Sequence, residues 1–328
     1  MGEGRGSEAR ASDRVAIHEV GPRDGLQNES ALLTVEARLR LIERLVRAGL
    51  SRIEIGSFVR PEWIPQLADT DELARRVLGL EVPAGVRFSA LVPNRHGLER
   101  AAAAGLREVA VFMSASETHN RKNTNKSIAE SLREFEQLVP SAVAAGLSVR
   151  GYVSTVWGCP YEGFVDPRRA LDVGAQLRDL GVAELSLGDT IGVGNPLQTR
   201  RIVELFLSGD GRVRGFKAEQ LALHLHDTNG TALANCLAAW EMGIRIFDTS
   251  IGGTGGCPYA PGAAGNLASE DLVSMLQDMG VPTGVDLEKL IDAGELAQQL
   301  LGRKLTGRRL QAALGRREKT EARQAAST

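Results

Sequence analysis

The sequence predicts a (β/α)8 barrel, a TIM barrel, with a lid loop and a helical extension on its C-terminal side, and three observations carry that prediction. Eight short β-rich runs recur along the 328 residues, with helical patterns between them. Glycine closes one helical pattern after another just ahead of the next run, as in "AAAAGL", "VAAGL", "LRDLGV" and "AAWEMGI". No Pro/Ser-rich linker breaks the series, so the units belong to one domain.

The first run, "VAIHEV" (15–20), leads into a Gly/Pro turn, "GPRDGLQNES". In "TVEARLRLIERLVRAG", which follows, Val35, Leu39, Ile42 and Val46 fall on one helical face, and Gly49 stands where a helix-ending glycine belongs. The later runs are "RIEIGS" (52–57), "VRFSAL" (86–91), "EVAVFM" (108–113), "SVRGYVST" (148–155), "AELSLG" (183–188), "QLALHLH" (220–226) and "RIFDTSI" (245–251). A doubly wound open sheet is the competing arrangement. It would normally have fewer strands and an early Gly-rich phosphate fingerprint, and no such fingerprint appears. After residue 255 the pattern turns loop-rich and then helical. The expected division is a disordered leader (1–14), a catalytic barrel (15–290) that includes a lid loop (252–266), and a helical extension with a basic tail (291–328). That tail has eight Lys/Arg against two Glu after residue 301, and a frayed, solvated helix is expected there rather than a site for an anionic partner.

Composition bounds the function. Hydrophobic residues make up 43% and charged residues 24%, the balance of a soluble globular enzyme. A net charge of −2 sets up no global field for nucleic acid or an acidic membrane, so neither is an expected partner. No apolar run approaches the roughly 18 residues that span a bilayer. "MGEGRGSEARASD" has no apolar signal region. Three widely spaced cysteines, Cys159, Cys236 and Cys257, suggest neither a disulfide framework nor a zinc knuckle, and the cytoplasm is the expected compartment.

In such a barrel the reactive groups gather at the C-terminal ends of the strands. In "LALHLHD", Leu221, Leu223 and Leu225 share one side of a strand, while His224 and His226 share the other and enter the barrel mouth. A lone histidine there would be a satisfied core group, whereas two at this spacing form a natural pair of metal ligands. Glu54, between Ile53 and Ile55, points inward in the same way and needs a cation or donor beside it. Asp189, just past the sixth run, is either a helix cap or a site carboxylate. Arg23 and Asp24 stand in the first turn; opposite charges adjacent in sequence do not normally pair, and alone they read as a polar βα-loop. With the two histidines, Asp24 completes a mixed oxygen/nitrogen set suited to Mg²⁺, Mn²⁺ or Zn²⁺, and an arginine beside that ion can stabilise an enolate-type oxyanion. "GGTGGCPYAPGAAGN" (252–266), too rich in Gly and Pro for a regular element, reads as a surface loop or as a mobile lid. As a lid it brings Cys257 over the substrate and ends with Asn266 as an oxygen ligand. Cys159 and Cys236 read as packing residues.

At these residues the sequence resembles 3-hydroxy-3-methylglutaryl-CoA lyase, within the metal-dependent barrel lyases and Claisen-type synthases. The matching pieces are "EVGPRDGLQNE", "EIGSFVRPEWIPQLAD", "GCPYEG", "LSLGDTIGVGNP", "HLHDTNG" and "GGCPYAPGAAGNLASEDL". The resemblance implies that Asp24, His224, His226 and Asn266 bind the divalent cation, Mg²⁺ or Mn²⁺. It implies Arg23 for the enolate and Cys257 as the catalytic thiol, with Glu54, Asp189, Asp24 and His224 in the catalytic network. "NRKNTNKSI" (120–128) resembles a segment near the CoA entrance. The implied substrate is an acyl-CoA, the implied products are acetyl-CoA and acetoacetate, and a homodimer is the expected assembly. Ser30, Asn229, Thr254 and Ala264 depart from the family pattern. Competing readings are a lyase for a longer-chain analogue, a condensing synthase, and an inactive CoA-binding barrel.

Overall fold

Each of the eight predicted runs holds a strand in the computed structural model, which describes residues 14–256 and 265–325. The strands are β1 (Ala16–Glu19), β2 (Arg52–Ser57), β3 (Arg87–Leu91), β4 (Glu108–Ser114), β5 (Ser148–Ser154), β6 (Glu184–Asp189), β7 (Leu221–Leu225) and β8 (Ile246–Thr249). They pair in parallel and in sequence order, and β1 closes on β8 from Ala16 beside Ile246 to Glu19 beside Thr249. Helices α1 (Val35–Arg47), α2 (Thr70–Leu78), α3 (Arg95–Ala103), α4 (Glu117–Thr124), α5 (Ile128–Ala144), α6 (Pro167–Leu180), α7 (Pro196–Ser208) and α8 (Ala232–Glu241) form the crossovers. The sequence is a (β/α)8 barrel. α1 shows how local chemistry sets the units: Thr34 Oγ1 accepts from the Ala37 amide at 3.2 Å, and Gly49 follows the helix at φ +93°.

Strand parity divides the core in two. Ile53, Ile55, Val109, Val111, Leu221, Leu223 and Leu225 are buried and belong to the apolar core shared with the helices. The alternate positions carry His18, Arg52, Glu54, Arg150, Tyr152, Glu184, Ser186, His224 and Asp248, all but Glu184 buried. Branched apolar residues usually fill such a barrel; here a ladder of ion pairs shares the interior with a small cluster of Leu91, Ala110, Phe112 and Tyr152. Both Arg52 Nη atoms donate to Glu184 at 2.9 and 2.8 Å, Arg150 Nε donates to Glu184 at 2.6 Å, and Arg150 reaches Asp248 at 3.0 and 2.6 Å. Each guanidinium has its carboxylate. Removing one partner would leave an uncompensated buried charge at a cost of about 3–5 kcal/mol. His18 is held well below its ordinary pKa by burial and then by Arg150 and Arg52, so it stays neutral in this ladder.

Beyond β8 come α9 (Ser269–Asp278), α10 (Leu287–Leu301) and α11 (Arg308–Ala325). The first half of α11 departs from the frayed, solvated helix expected of a basic tail. Leu310, Ala313 and Leu314 bury one face, and Arg317 pairs with Glu295, Asp292 and Glu288 of α10. Apolar spacing, not charge, governs that stretch. The extension and α9 together brace the root of the glycine-rich stretch: the Gly307 amide donates to Gly252 O at 2.9 Å, and both Glu270 oxygens accept from the Gly252 amide. No helix among the described residues is long and apolar enough to cross a membrane.

Candidate active site

The turn after β1 brings sequence neighbours into one working group. The Val20 carbonyl accepts from the amides of Arg23, Asp24 and Gly25 at 3.0, 2.7 and 3.3 Å, winding Gly21–Gly25 into a π-helical turn. In that winding Arg23 Nη1 does meet Asp24 Oδ1, at 2.6 Å, contrary to the rule for adjacent opposite charges. Gly25 supplies the room, since a Cβ there would stand 2.3 Å from Thr254 Oγ1. Glu19 ties the turn to the loop roots: its carboxylate accepts from the amides of Gly21 and Ile251, both at 2.8 Å, and from Ser269 Oγ.

Arg23 and Glu54 face each other inside the mouth. Arg23 Nε donates to Glu54 Oε2 at 2.6 Å, and Tyr152 OH donates to the same oxygen at 3.2 Å. Glu54 is fully buried, so these donors stand in for water. Burial opposes the Arg23 charge, but Glu54 and Asp24 outweigh it and hold the guanidinium protonated. Asp24 shows the same contest from the other side. Burial alone would raise its pKa; Arg23, then His224 and His226, then the hydrogen bond from Asn266 bring it down to about 2.

β7 delivers the histidines. His224 and His226 are buried with ring centroids 5.4 Å apart, and one ligand atom each from Asp24, His224 and His226 lies within 4.8 Å of the others. Asn266 Nδ2 reaches Asp24 Oδ2 at 2.7 Å, and Gly255 must lack a side chain because a Cβ would come within 2.6 Å of that nitrogen. Asp189 stands apart from this cluster. Its oxygens accept from the amides of Val193 and Gly194 at 3.1 and 2.8 Å, and burial, against those bonds, raises its pKa to about 6. Cys257 and Ala264 lie outside the described residues.

The match that decides the family covers residues 14–297, which fit the HMGL-like family. The chain belongs to the HMGL-like family. Hydroxymethylglutaryl-CoA lyase YngG of Bacillus subtilis (strain 168) is 50% identical over 298 residues, 91% of this chain and 97% of that protein. A crystal structure of the Bacillus subtilis HMG-CoA lyase superposes with a TM-score of 0.86 at 50% identity, covering 92% of this chain and 98% of the other. An HMG-CoA lyase from Acinetobacter baumannii, in complex with coenzyme A and 3-methylmalate, matches with a TM-score of 0.84 at 39% identity, over 91% and 94% of the two chains.

Within this HMGL-like barrel, sequence reading passed over Arg150, Tyr152, Ser186 and Asp248. Parity was the available signal: Arg150 lies between Val149 and Gly151, and Asp248 between Phe247 and Thr249, each a charge inside an apolar strand. Of the departures from the family pattern, Ser30 and Asn229 are exposed, and Thr254 is buried with its carbonyl accepting from Asn266 at 3.2 Å. None of those three lines the mouth cavity or the one adjoining it.

Proposed function

We propose that this protein is a divalent-metal-dependent carbon–carbon lyase that cleaves 3-hydroxy-3-methylglutaryl-CoA to acetyl-CoA and acetoacetate. The observation that carries the reading is the convergence of Asp24, His224 and His226 within 4.8 Å, beside an Arg23 guanidinium fixed by buried Glu54. The naming of similar proteins as hydroxymethylglutaryl-CoA lyases supports the substrate.

The donor set fits a divalent cation. One ionised carboxylate and two imidazoles make a mixed oxygen/nitrogen site, and Asn266 adjoins it through the hydrogen bond that its amide nitrogen donates to Asp24; Mg²⁺ or Mn²⁺ is the ion we infer. When bound, such an ion supplies Lewis acidity to the substrate's hydroxyl and carboxylate oxygens. The rest is the work of the chain. A base in the Asp24/His224 neighbourhood takes the tertiary hydroxyl proton. The C2–C3 bond then breaks, the alkoxide carbon becomes the ketone of acetoacetate, and the bonding electrons pass to the thioester as an enolate. Arg23 meets that negative oxygen from a position already paid for in desolvation, which favours the charge as it develops. Cys257 is the acid we assign to protonate the enolate carbon. Glu54 keeps Arg23 aimed, and Asp189 shapes the adjoining loop.

An acyl-CoA also suits the second cavity. It adjoins the first, shares Gln27, Leu91, Phe112 and Asn123 with it, and runs past Trp63 and Lys126. Its ≈ 360 Å³ falls within the roughly 300–1,000 Å³ of small-molecule clefts. The Acinetobacter baumannii relative, crystallised with coenzyme A, supports an acyl-CoA as the ligand. A homodimer and a cytoplasmic location complete the reading, the first checked by light scattering on purified protein. The test of acyl identity is competition: kcat/KM for 3-hydroxy-3-methylglutaryl-CoA should exceed that for a longer 3-alkyl analogue at least tenfold. Preference for the longer ester would overturn the assignment.

A further inference from the structure

Asp248 on β8 has no part in the chemistry above, yet both of its oxygens are committed. Arg150 donates Nη2 to Oδ1 at 2.6 Å and Nη1 to Oδ2 at 3.0 Å. Ser186 Oγ donates to Oδ2 at 2.9 Å, and the same oxygen faces Nδ1 of His224 at 3.3 Å. Arg150 is itself fixed, by Glu184 at 2.6 Å and by the Tyr152 ring 4.7 Å below its guanidinium, while Glu184 is gripped by Arg52. Strands β2, β5, β6 and β8 therefore hold this carboxylate, and it has no freedom to follow the imidazole. The imidazole must conform to it.

That contact decides where the imidazole proton sits. A carboxylate bound through both oxygens to a guanidinium has only lone pairs to offer, so Nδ1 must carry the hydrogen. Nε2 is then left with its lone pair, on the edge of the ring that faces Asp24 Oδ2 at 3.9 Å. We propose that Asp248, braced by Arg150, is the positioning residue that selects the Nδ1–H tautomer of His224 and aims Nε2 into the cation site. The inference rests on the metal reading above and adds the part of the barrel that prepares the ligand. Carboxylates behind metal-bound histidines commonly do this, and losing one typically weakens metal affinity about 10–100-fold.

Asp248→Asn separates this role from mere neutralisation of Arg150. Arg150 would draw the amide oxygen, turning the NH₂ toward Nδ1 and forcing the proton onto Nε2, a wrong-tautomer outcome of the kind seen when a triad aspartate becomes asparagine. Mn²⁺ affinity is measured by calorimetry on the wild type and on a folded Asp248→Asn protein, with far-UV circular dichroism as the fold control. The expected result is Mn²⁺ binding weakened about 10–100-fold, KM for the acyl-CoA nearly unchanged, and kcat largely recovered at saturating Mn²⁺. A folded variant whose Mn²⁺ affinity stays within about twofold of wild type overturns the inference while leaving the metal reading intact. Wild-type protein that binds no Mn²⁺ overturns both. If the variant fails to fold, the wild type decides: long-range ¹H–¹⁵N spectra of its five histidines, with His224 identified by its loss in His224→Gln, should show Nδ1 protonated. Nε2 protonated in the wild type overturns the inference.

Discussion

Arg23→Gln separates two consequences of one contact. Arg23 donates to Glu54 and Asp24, both at 2.6 Å, and Glu54 is fully buried. Losing a preorganised donor to a developing oxyanion costs about 2.7–4 kcal/mol, so kcat should fall roughly 10²–10³-fold with KM little changed. Stability should fall for a different reason. Glu54 keeps the Tyr152 hydroxyl at 3.2 Å but loses its buried counter-charge. It can escape that state by taking a proton, which at pH 7 costs about 1.4 kcal/mol for each unit above an ordinary Glu pKa of about 4.3. The penalty is therefore capped near 3–4 kcal/mol at pH 7 and shrinks as pH falls toward 5. Chemical unfolding at both pH values, with steady-state kinetics, measures the two effects. Arg23→Gln/Glu54→Gln should regain most of the stability and none of the kcat. A double variant with restored kcat, or a single variant with raised KM and normal kcat, would refute the reasoning.

The remaining predictions concern the cation, the thiol and two buried acids. His226→Ala should leave circular dichroism unchanged and weaken Mn²⁺ binding strongly in calorimetry; unaltered binding would remove His226 from the ligand set. Cys159 and Cys236 are 3% and 2% exposed, so brief alkylation should label Cys257 alone, an acyl-CoA should protect it, and Cys257→Ala should be nearly inactive. Peptide mass spectrometry showing equal labelling of Cys159 would count against this. Burial raises Glu19 to about 7 and Glu270 to about 8 against the hydrogen bonds they accept. The folded chain then holds protons that the unfolded chain releases above about 4.5. Their contribution is complete below that pH and is lost as pH rises through 7 and 8. Glu19→Gln/Glu270→Gln should flatten the decline in urea midpoint between about pH 5 and pH 9, and an unchanged slope would assign it to other groups.

The barrel was legible because its rules are local. Period-two alternation marked the strands, glycine marked the helix ends, and the leucines around His224 and His226 fixed which way the imidazoles point. Asn266 was read as the oxygen ligand that ends a lid loop and again through family resemblance, but nothing in its own stretch ties it to Asp24, 242 residues away. The Arg150–Asp248 pair spans 98 residues, and only the closing of the barrel brings it behind His224. Arg23 and Asp24 were misjudged as a non-pairing couple because a π-helical turn, with one carbonyl taking three amides, leaves no mark in residue type. Around α11 the eight basic residues after residue 301 drew attention from Leu310, Ala313 and Leu314, whose spacing buries one face of the helix's first half.

The proposed site, built on Asp24, His224, His226 and Arg23, should cleave 3-hydroxy-3-methylglutaryl-CoA only with a divalent cation bound. Purified protein, stripped by chelator and then given Mn²⁺ or Mg²⁺, should convert that ester to acetyl-CoA and acetoacetate in equal amounts, quantified together by mass spectrometry. The stripped protein should form neither product. Full turnover without metal, or consumption of the ester with no acetoacetate formed, would contradict the account.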